Sequence, residues 1–514
     1  MEICSFIRTL VISIASLIFY GLMRVVYTVW WRPKSLEKCL RKQGVGGNSY
    51  RIFHDDMREM VRISTQVWSK PMSLNHQISS YVLPFHHKMV KIYGKFSMSW
   101  IGRRPRLLVA DAELMRLVLT DKSTRFVKPP LNPLVNLLQL GVSTLEGDTW
   151  AKRRRLITPA FHHEKLKGMM PAFSSSCLDL INRWKKLIIS SSGTSTEVDI
   201  FPAFHTLAGD VIARTAFGSS FEEGKQIFEL QKAQVVLVLE AHFSIYLPGL
   251  RFIPTKKNKR RYSLDKEIKA ILRGIINNKE QAMKIKEESC NDDLLGLLLQ
   301  CKEQNESDLT IEDVIEECKL FYFAGQETTA NWLTWTMILL SMHPNWQEKA
   351  REEVLKTCGK KLPSIENLNH LKIVSMILHE VLRLYPPVTA LFRYTSQETS
   401  IGGLSVPAGV EIILPTLLLH HDSKYWGNDA EDFNPERFGE GISKASKDEQ
   451  AFYPFGWGPR FCLGQNFAMI EAKLALAMIL QHFSFELSPS YTHSPLTRIT
   501  LQPQHGAPII LRQI

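Results

Sequence analysis

The chain has 514 residues, 45% of them hydrophobic, which is ordinary for a globular protein and sufficient for a large core. Its formal net charge of +12 does not predict a nucleic-acid partner, because the basic residues are scattered and no helix-turn-helix, finger or RNA-binding signature accompanies them. Anionic lipid or an acidic protein partner explains this charge equally well. Eight cysteines at irregular spacing do not form a disulfide framework and indicate a reducing compartment.

The first predicted element is an apolar N-terminal helix. Thr9–Met23 carries no charge, Arg24 interrupts the run, and Val25–Trp31 continues it to an aromatic end. About 20 such residues suffice to cross a bilayer. The pattern therefore predicts a membrane-spanning helix.

The charges that flank this helix predict its orientation. Arg8 is the only basic residue before the apolar run, whereas basic residues cluster between positions 32 and 42. The positive-inside rule then places the N-terminus in the lumen and the remainder in the cytosol. We predict a single-pass anchor over residues 1–31 and a cytosolic body over 32–514, with a cleaved signal peptide as the alternative. A cytosolic body would leave the sequon at Asn305 unglycosylated.

The region after the anchor is predicted to mix helices with short strands, of which Phe96–Trp100 and Arg106–Val109 are candidates. Trp150 and Arg154 lie four positions apart and share a helical face, for which an ordinary surface cation–π contact is the simplest interpretation. Three basic residues crowd the same turn and suggest a docking surface for an acidic redox partner, or equally a solvated basic face. These are Lys152, Arg153 and Arg155.

Two segments further along suggest contact with lipid. Ser244–Pro254 could dip into the membrane surface and admit apolar substrates, although burial in the core is the simpler interpretation. The basic run Lys256–Arg261 follows directly and is predicted to be an exposed loop or a contact with lipid headgroups.

A long buried helix is predicted over Ile311–Met342, because Thr310 and Asp313 form a capping-box start and no proline follows before Pro344. Its apolar centre is interrupted by Ala-Gly-Gln-Glu-Thr-Thr at positions 324–329. A carboxylate and a hydroxyl inside a buried helix are costly unless they are paired or solvated, so this stretch is either functional or locally wet. A threonine that bonds back to a helix carbonyl is the structural alternative.

The next helix ends before Pro386 and carries Glu380 and Arg383 on one face. Their apolar neighbours indicate a buried ion pair that needs further partners. A zinc protease is excluded because Arg383 stands where the His-Glu-x-x-His motif requires histidine. Beyond it, Leu404–Leu418 is predicted to form strands around a Pro-Ala-Gly turn.

The glycine-rich loop Phe455–Gly464 carries a single cysteine, Cys462, directly before the amphipathic segment Gln465–His482. Backbone N–H groups and the positive end of a helix stabilise a thiolate, while glycines let the loop approach a flat ligand and Arg460 offers a cation to its acidic groups. This combination indicates haem. The loop lacks the third glycine of a dinucleotide-binding fingerprint. The chain contains no Cys-x-x-Cys pair, which argues against a zinc site. We interpret the other seven cysteines as small, buried hydrophobic residues.

The pattern Phe-x-x-Gly-x-Arg-x-Cys-x-Gly around Cys462 resembles the haem-binding loop of the cytochrome P-450 family, whose cysteine supplies the thiolate ligand. The resemblance extends from Trp31 to the C-terminus and is nearest to the plant clan that includes secologanin synthase and triterpenoid and gibberellin oxidases. One departure is Arg32-Pro33, which stands where many microsomal members have a proline-rich run. The resemblance implies a mainly α (α+β) fold with small β-sheets behind an N-terminal transmembrane helix, and haem b, iron protoporphyrin IX, as cofactor.

The resemblance also divides the candidate residues into catalytic, structural and cofactor-binding groups. Glu327 and Thr328 resemble the oxygen-activation motif and would be catalytic. Glu380 and Arg383, with Arg437 as the third member, resemble the Glu-Arg-Arg lock around the haem loop. The cofactor-binding group comprises Cys462, which would also be the iron ligand, with Phe455, Arg460, Gly464 and the candidate propionate contacts Trp150, Arg154 and Arg393.

Partners and location follow from the same resemblance. Electrons would come from NADPH-cytochrome P-450 reductase, because this chain shows no flavin or nicotinamide site, and cytochrome b5 is a further candidate donor. We expect a monomer in the endoplasmic reticulum membrane that contacts lipid and a small hydrophobic substrate. The substrate pocket would draw on Arg125–Leu134, the segment around Ser244–Pro254, Tyr322–Ala324, Val388–Phe392 and Leu496–Thr500.

The first functional hypothesis is a haem-thiolate monooxygenase, an oxidoreductase dependent on NADPH and O2. It would insert one oxygen atom from O2 into a hydrophobic terpenoid, whether triterpenoid, diterpenoid (gibberellin) or iridoid. The second hypothesis is a haem-thiolate isomerase or lyase that acts on a peroxide without a reductase. The intact Glu327-Thr328 pair argues against it. The third is a haem-binding carrier or sensor, for which a long oxygen-activating helix would serve no purpose.

Overall fold

The computed structural model describes residues 2–52, 56–138, 140–191, 193–218, 221–242, 250–285, 293–303, 309–447 and 451–514. The predicted helix-rich fold with small sheets is confirmed over these ranges. The helices are α1 Glu2–Val26, α2 Arg32–Lys42, α3 Asp56–Trp68, α4 Ser79–Val82, α5 Pro84–Tyr93, α6 Ala112–Thr120, α7 Gly147–Ile157, α8 His163–Ser190, α9 Ile200–Phe217, α10 Phe221–His242, α11 Lys256–Ile285, α12 Leu294–Glu303, α13 Ile311–Met342, α14 Pro344–Cys358, α15 Ile365–His370, α16 Lys372–Leu384, α17 Thr416–His420, α18 Ser423–Trp426 and α19 Gln465–His482. The strands are β1 Gly46–Gly47, β2 Phe96–Ile101, β3 Arg104–Val109, β4 Phe126–Val127, β5 Ser195–Asp199, β6 Leu391–Thr395, β7 Thr399–Ile401, β8 Leu404–Val406, β9 Glu411–Leu414, β10 Phe483–Leu487, β11 Pro495–Thr497, β12 Leu501–Pro503 and β13 Pro508–Gln513.

The chain divides into two compact units. The smaller contains the chain up to Val67 together with Leu83–Pro129 and Leu391–Pro415. The larger contains Trp68–Val82, Pro130–Ala390 and Thr416–Ile514. Each unit is built around its own secondary structure, a sheet in the smaller and helices in the larger.

The smaller unit is organised by a sheet with strand order β1-β2-β3-β9-β6-β4. The two strands predicted near residues 96–109 are confirmed as the antiparallel pair β2 and β3, joined by a tight turn in which Gly102 has φ +56°. Two-residue hairpin turns require such positive φ values, which glycine adopts without steric cost. The run Leu404–Leu418 forms β8 and β9, but its last residues begin α17, so the strand prediction was wrong there. Pro415 separates β9 from α17, and its missing N–H cannot extend a strand ladder.

The N-terminal helix is longer than predicted. α1 passes through a π-helical segment, Tyr27–Trp31, directly into α2, so one helix runs from residue 2 to residue 42. Its segment Ser5–Lys42 has a window of mean hydropathy 2.0 with no residue of that window buried, as a membrane span requires. This helix is the candidate membrane anchor.

Pro33 lies inside this continuous helix and has no N–H to offer the Val29 carbonyl four residues earlier. The Tyr50 hydroxyl donates to that carbonyl at 2.5 Å, and the Arg32 N–H reaches back five residues to the Tyr27 carbonyl. Tyr50 is itself buried, with its ring packed 4.8 Å from that of Trp100. The helix continues through Pro33 because a π-turn and a side-chain hydrogen bond replace what proline removes.

The larger unit is built around α13, whose bounds match the predicted helix. Its capping box is present, since Thr310 Oγ1 accepts from the Asp313 N–H while the Asp313 side chain accepts from the Thr310 N–H. α13 packs against α9, α16 and α19. From Glu317 to Leu340 every residue is buried except 324–328, which are partly exposed. The Ala-Gly-Gln-Glu-Thr stretch is therefore a local opening in an otherwise buried helix.

The two segments predicted to contact lipid are only partly described. Residues 243–249 and the sequon at 305–307 lie outside the described ranges. Phe252 and Ile253 are 72% and 48% exposed, so burial in the core was the wrong interpretation for this end of the segment. The basic run Lys256–Arg261 opens α11 instead of forming a loop, and Arg261 is buried with its guanidinium bonded to the Leu237 carbonyl.

Glu471 is a buried acid on α19. Its side chain is 1% exposed, and both carboxyl oxygens lack a hydrogen-bond partner among the described residues. Burial raises the pKa of this carboxyl well above its ordinary value of 4.5. Burial therefore favours the neutral form of Glu471 in the folded protein.

We expect Glu471→Gln to stabilise the protein at pH 8 and to have little effect near pH 5. The folded chain retains a proton that the unfolded chain releases above its ordinary pKa, so stability falls as pH rises from that value toward the raised one. Glutamine has nearly the same shape as glutamate but does not titrate, so it does not make the stability depend on pH. Urea unfolding of both proteins at the two pH values measures the difference, with the exposed Glu486→Gln as control. Equal gains at both pH values would contradict the assignment.

Candidate functional site

The cysteine loop is shaped by its glycines and by a backbone hydrogen bond. Gly456 and Gly458 have φ values of +72° and +68°, in the left-handed region that favours glycine. The Cys462 N–H donates to the Phe455 carbonyl at 2.9 Å and closes the loop. Gly464 has an ordinary φ of −87° at the N-cap of α19, so unlike Gly456 and Gly458 it does not lie in the left-handed region.

Cys462 is exposed, whereas Cys177, Cys301, Cys318 and Cys358 are buried. Its side chain faces accessible space, yet protein surrounds it at longer range, and this burial raises the pKa of the thiol. A hydrogen bond from the Gly464 N–H and the positive charge of Arg154 oppose the rise. The predicted segment Gln465–His482 is confirmed as α19 but is largely buried instead of amphipathic, because several helices pack around it.

Trp150 and Arg154 project from α7 onto the cysteine loop. The Arg460 guanidinium lies 4.0 Å from the centre of the Trp150 ring, and Arg154 donates to the Phe461 carbonyl at 2.8 Å. Arg460 also donates to the Leu145 carbonyl at 2.8 Å. The shared helical face predicted for Trp150 and Arg154 therefore brings an indole and a second guanidinium to the residues around Cys462.

The basic turn of α7 is not a uniform docking surface. Lys152 and Arg155 are exposed, but Arg153 is buried and its Nη1 lies 2.8 Å from Glu317 Oε1. Burial raises the pKa of Glu317 to about 7, while the Val142 N–H and Arg153 oppose that rise. The docking role predicted for Arg153 was wrong, because its side chain is buried and pairs with Glu317 inside the protein.

The opening in α13 is packed closely by α9. An added Cβ at Gly325 would lie 2.8 Å from Ile212 Cγ1, so this glycine allows the two helices to approach. The Thr328 hydroxyl donates to the Ala324 carbonyl at 2.8 Å, which is the structural alternative raised for this residue. In this position the hydroxyl oxygen keeps its acceptor capacity.

Glu327 is held by groups that are distant in sequence. Thr500 Oγ1 donates to Glu327 Oε1 at 2.8 Å, and His205 Nε2 lies 3.4 Å from Glu327 Oε2. Asn331 donates to the Glu327 backbone carbonyl at 2.8 Å. Burial raises the pKa of the Glu327 carboxyl, but His205, Thr500 and Asn331 outweigh it, so the net shift is downward. His205 and Thr500 belong to no motif, and sequence reasoning missed them as partners of this acid.

The predicted lock residues lie together behind the loop. Arg383 makes two hydrogen bonds to Glu380, from Nε at 2.8 Å and from Nη2 at 2.7 Å. Its remaining donors reach the carbonyls of His420, Ala430 and Asp432. Arg437 Nε lies 3.6 Å from Glu380 Oε1. Glu380 and Arg383 are both fully buried, so the pair has the further partners that burial demands.

The remaining predicted residues are distributed over both units. Arg393 lies on β6 of the smaller unit, where it is buried and its Nη1 donates to the Phe392 carbonyl at 2.8 Å, so its role at the site stays a prediction. In the larger unit an apolar cluster joins parts of two predicted pocket segments. It consists of Leu138, Val238 and Phe323, with Val135, Val235 and Ile499 packed against them.

Known proteins resemble this chain along most of its length. The sequence model of the Cytochrome P450 family matches residues 73–507. The 7-deoxyloganic acid hydroxylase of Catharanthus roseus is 48% identical over 510 residues, covering 97% of each chain. Secologanin synthase 1 of the same plant is 47% identical and covers 100% of this chain and 99% of its own.

A solved structure agrees with these sequence relatives. The structure titled retinoic acid bound cyanobacterial CYP120A1 matches with a TM-score of 0.73 and 25% identity, covering 84% of this chain and 94% of that one. The resemblance to the plant clan that includes secologanin synthase is confirmed. This chain belongs to the cytochrome P450 family of haem-thiolate monooxygenases.

Proposed function

We propose that Cys462 holds the haem iron and that the enzyme hydroxylates an apolar terpenoid. The observation that carries the proposal is the exposed thiol before the start of α19, where the Gly464 N–H and the charge of Arg154 oppose the rise in pKa that burial causes. Haem ligated by a cysteine thiolate supplies the activation of O2 that C–H hydroxylation requires.

The side chains around the loop suit a flat cofactor with acidic edges. Phe461 and Trp457 are 48% and 40% exposed beside the thiol, and apolar rings of this size favour contact with a flat apolar macrocycle. Arg154 supplies a permanent cation for a carboxylate, whereas Arg460, which lies over Trp150, pairs with Glu146 and would exchange that partner for a second carboxylate. We assign Trp150, Arg154 and Arg460 to carboxylate binding, as the family resemblance implies.

Glu327 and Thr328 would take part in proton transfer at the opening in α13. Glu327 is partly exposed and ionised, so it can accept a proton from water and pass it on. The Thr328 hydroxyl is oriented by the Ala324 carbonyl and can accept a hydrogen bond at its oxygen. The pairing of Glu327 with Thr500 restricts the carboxyl to one rotamer.

The anchor and partners follow the family pattern. We infer that residues 1–31 span the endoplasmic reticulum membrane and that the body from residue 32 faces the cytosol, because basic residues follow the span. NADPH-cytochrome P-450 reductase would deliver electrons, cytochrome b5 is a further donor, and the enzyme would act as a monomer. Lys152 and Arg155, which are exposed on α7, are candidate contacts for an acidic partner.

The substrate class rests on the relatives. One relative is named for hydroxylation of 7-deoxyloganic acid and another for the synthesis of secologanin. A terpenoid skeleton is therefore the substrate class that we propose for this chain.

Reconstitution with the reductase tests this function. We expect NADPH- and O2-dependent conversion of at least one triterpenoid, diterpenoid or iridoid from a defined panel, with one isotopically labelled oxygen atom from O2 in the product. Thr328→Ala should consume NADPH with about a hundredfold less product, because groups that take part in proton transfer contribute factors of this size. Conversion of an organic hydroperoxide without reductase, and no labelled product with it, would favour the isomerase or lyase instead.

A further inference from the structure

His205 on α9 faces the acid of α13 across the helix interface. Its Nε2 lies 3.4 Å from Glu327 Oε2, and its Nδ1 lies 3.0 Å from the Phe201 carbonyl. A carbonyl accepts hydrogen bonds only, so Nδ1 carries a proton. With Nδ1 engaged in this way, Nε2 is the ring atom that faces the carboxylate.

The helix interface holds this pair at a defined separation. Gln326 Nε2 donates to the His205 backbone carbonyl at 2.9 Å and ties the two helices together beside the pair. Gly209 and Gly325 permit the close approach, since an added Cβ at either would lie within 2.9 Å of the opposite helix or its neighbours. The pair is therefore imposed by helix packing and does not depend on two flexible surface chains meeting.

Other charged groups near His205 are already engaged. On α9, Asp210 and Arg214 pair with each other at 2.8 Å, and Arg214 also reaches Asp179 of α8. From the segment before β12, Thr500 contributes only a hydroxyl to Glu327. Among the described residues that make ion pairs, Glu327 is the one that contacts the His205 ring.

We propose that His205 is a positioning residue for oxygen activation: through Nε2 it holds the Glu327 carboxyl oriented and favours its ionised form, so that this group can relay protons from solvent. The inference rests on the proposed role of Glu327. Both side chains are about one-fifth exposed, at 21% and 20%, so water reaches the pair. No electron moves in this step, and the proton taken up at Glu327 is the proton released.

Removal of the His205 side chain has a predictable consequence. Glu327 then loses one of the groups that lower its pKa, so this pKa rises toward the value that burial favours. The carboxyl also loses the contact that orients Oε2 at the helix interface. Coupling of NADPH consumption to product should therefore decline in a variant that lacks the ring.

Three variants separate charge from structure. His205→Gln keeps a hydrogen-bonding side chain without charge, and His205→Lys restores a cation that does not titrate near neutrality. The exposed His505→Gln is the matched control. The Glu327 carboxyl is observed directly by difference infrared spectroscopy against Glu327→Gln, in the full-length protein without turnover.

We expect the Glu327 carboxylate band to titrate at higher pH in His205→Gln and near its original position in His205→Lys and His505→Gln. Product formed per NADPH should fall about tenfold in His205→Gln, below the factors of a group that itself transfers the proton. The lysine variant should recover coupling, because it places a cation beside the carboxyl. An unchanged band in a folded His205→Gln protein, or a lysine variant equal to the glutamine variant, would overturn the proposal. The infrared titration does not depend on Cys462 ligation, so its failure is distinguishable from failure of the proposed function.

Discussion

Cys462→Ser is expected to eliminate the long-wavelength Soret band that the ferrous–CO form of a thiolate-ligated haem displays, together with all monooxygenase activity. A serine hydroxyl does not ionise near neutral pH, so it cannot replace the thiolate that the Gly464 N–H and Arg154 stabilise. The optical spectrum of the reduced, CO-treated protein in detergent measures the effect. The expected loss is complete.

A matched cysteine variant shows whether the effect is specific. Cys39 is partly exposed on α2 and lies outside the site, so Cys39→Ser should keep both the band and the activity. Circular dichroism should show an unchanged helix content in both variants. A normal long-wavelength band in a folded Cys462→Ser protein would disprove the ligand assignment.

Arg383→Ala is expected to destabilise the larger unit by about 3–5 kcal/mol, because it leaves a buried carboxylate without its partner. Glu380 is fully buried, and the three carbonyls that Arg383 serves would lose a donor at the same time. Unfolding by urea in detergent measures the loss. We also expect poor haem incorporation, since Arg383 ties α16 to the chain that leads into the cysteine loop.

Two further arginine variants serve as comparisons. Arg383→Lys keeps the charge but not the five-donor geometry, so its loss should be intermediate. Arg512 pairs with Glu486 at the surface, where both side chains are more than half exposed, and Arg512→Ala should change stability by about 0.5 kcal/mol or less. Equal stability of Arg383→Ala and Arg512→Ala would contradict the structural role of the lock.

Local patterns predicted the elements that depend on neighbours in sequence. The bounds of α13 and α19 follow from a capping box, an apolar run and the glycine before the helix, all of which act within a few residues. The same holds for the N-terminal span, because hydropathy is a property of a contiguous segment. Its continuation through Pro33 was not predictable, since the hydrogen bond that satisfies Val29 comes from Tyr50.

Contacts between segments that are remote in sequence could not be predicted either, because no local pattern encodes them. Arg153 is one of several basic residues in a turn, and only the buried position of Glu317 explains why it points inward. Thr500 lies 173 positions from Glu327 and belongs to no recognisable motif. A pairwise contact at such a separation depends on how whole helices pack, which no local pattern encodes.

By itself the sequence determined that this protein is a helical enzyme with an N-terminal helix apolar and long enough to span a membrane, and with a thiol suited to haem. The type of ligand, the loop glycines and the hydropathy can all be read from consecutive residues. Only the tertiary structure decided which groups control Glu327. α9 and α13 approach closely because Gly209 and Gly325 lack side chains, and that approach brings His205 to the acid. The chemistry of the acid therefore depends on helix packing as much as on the motif that contains it.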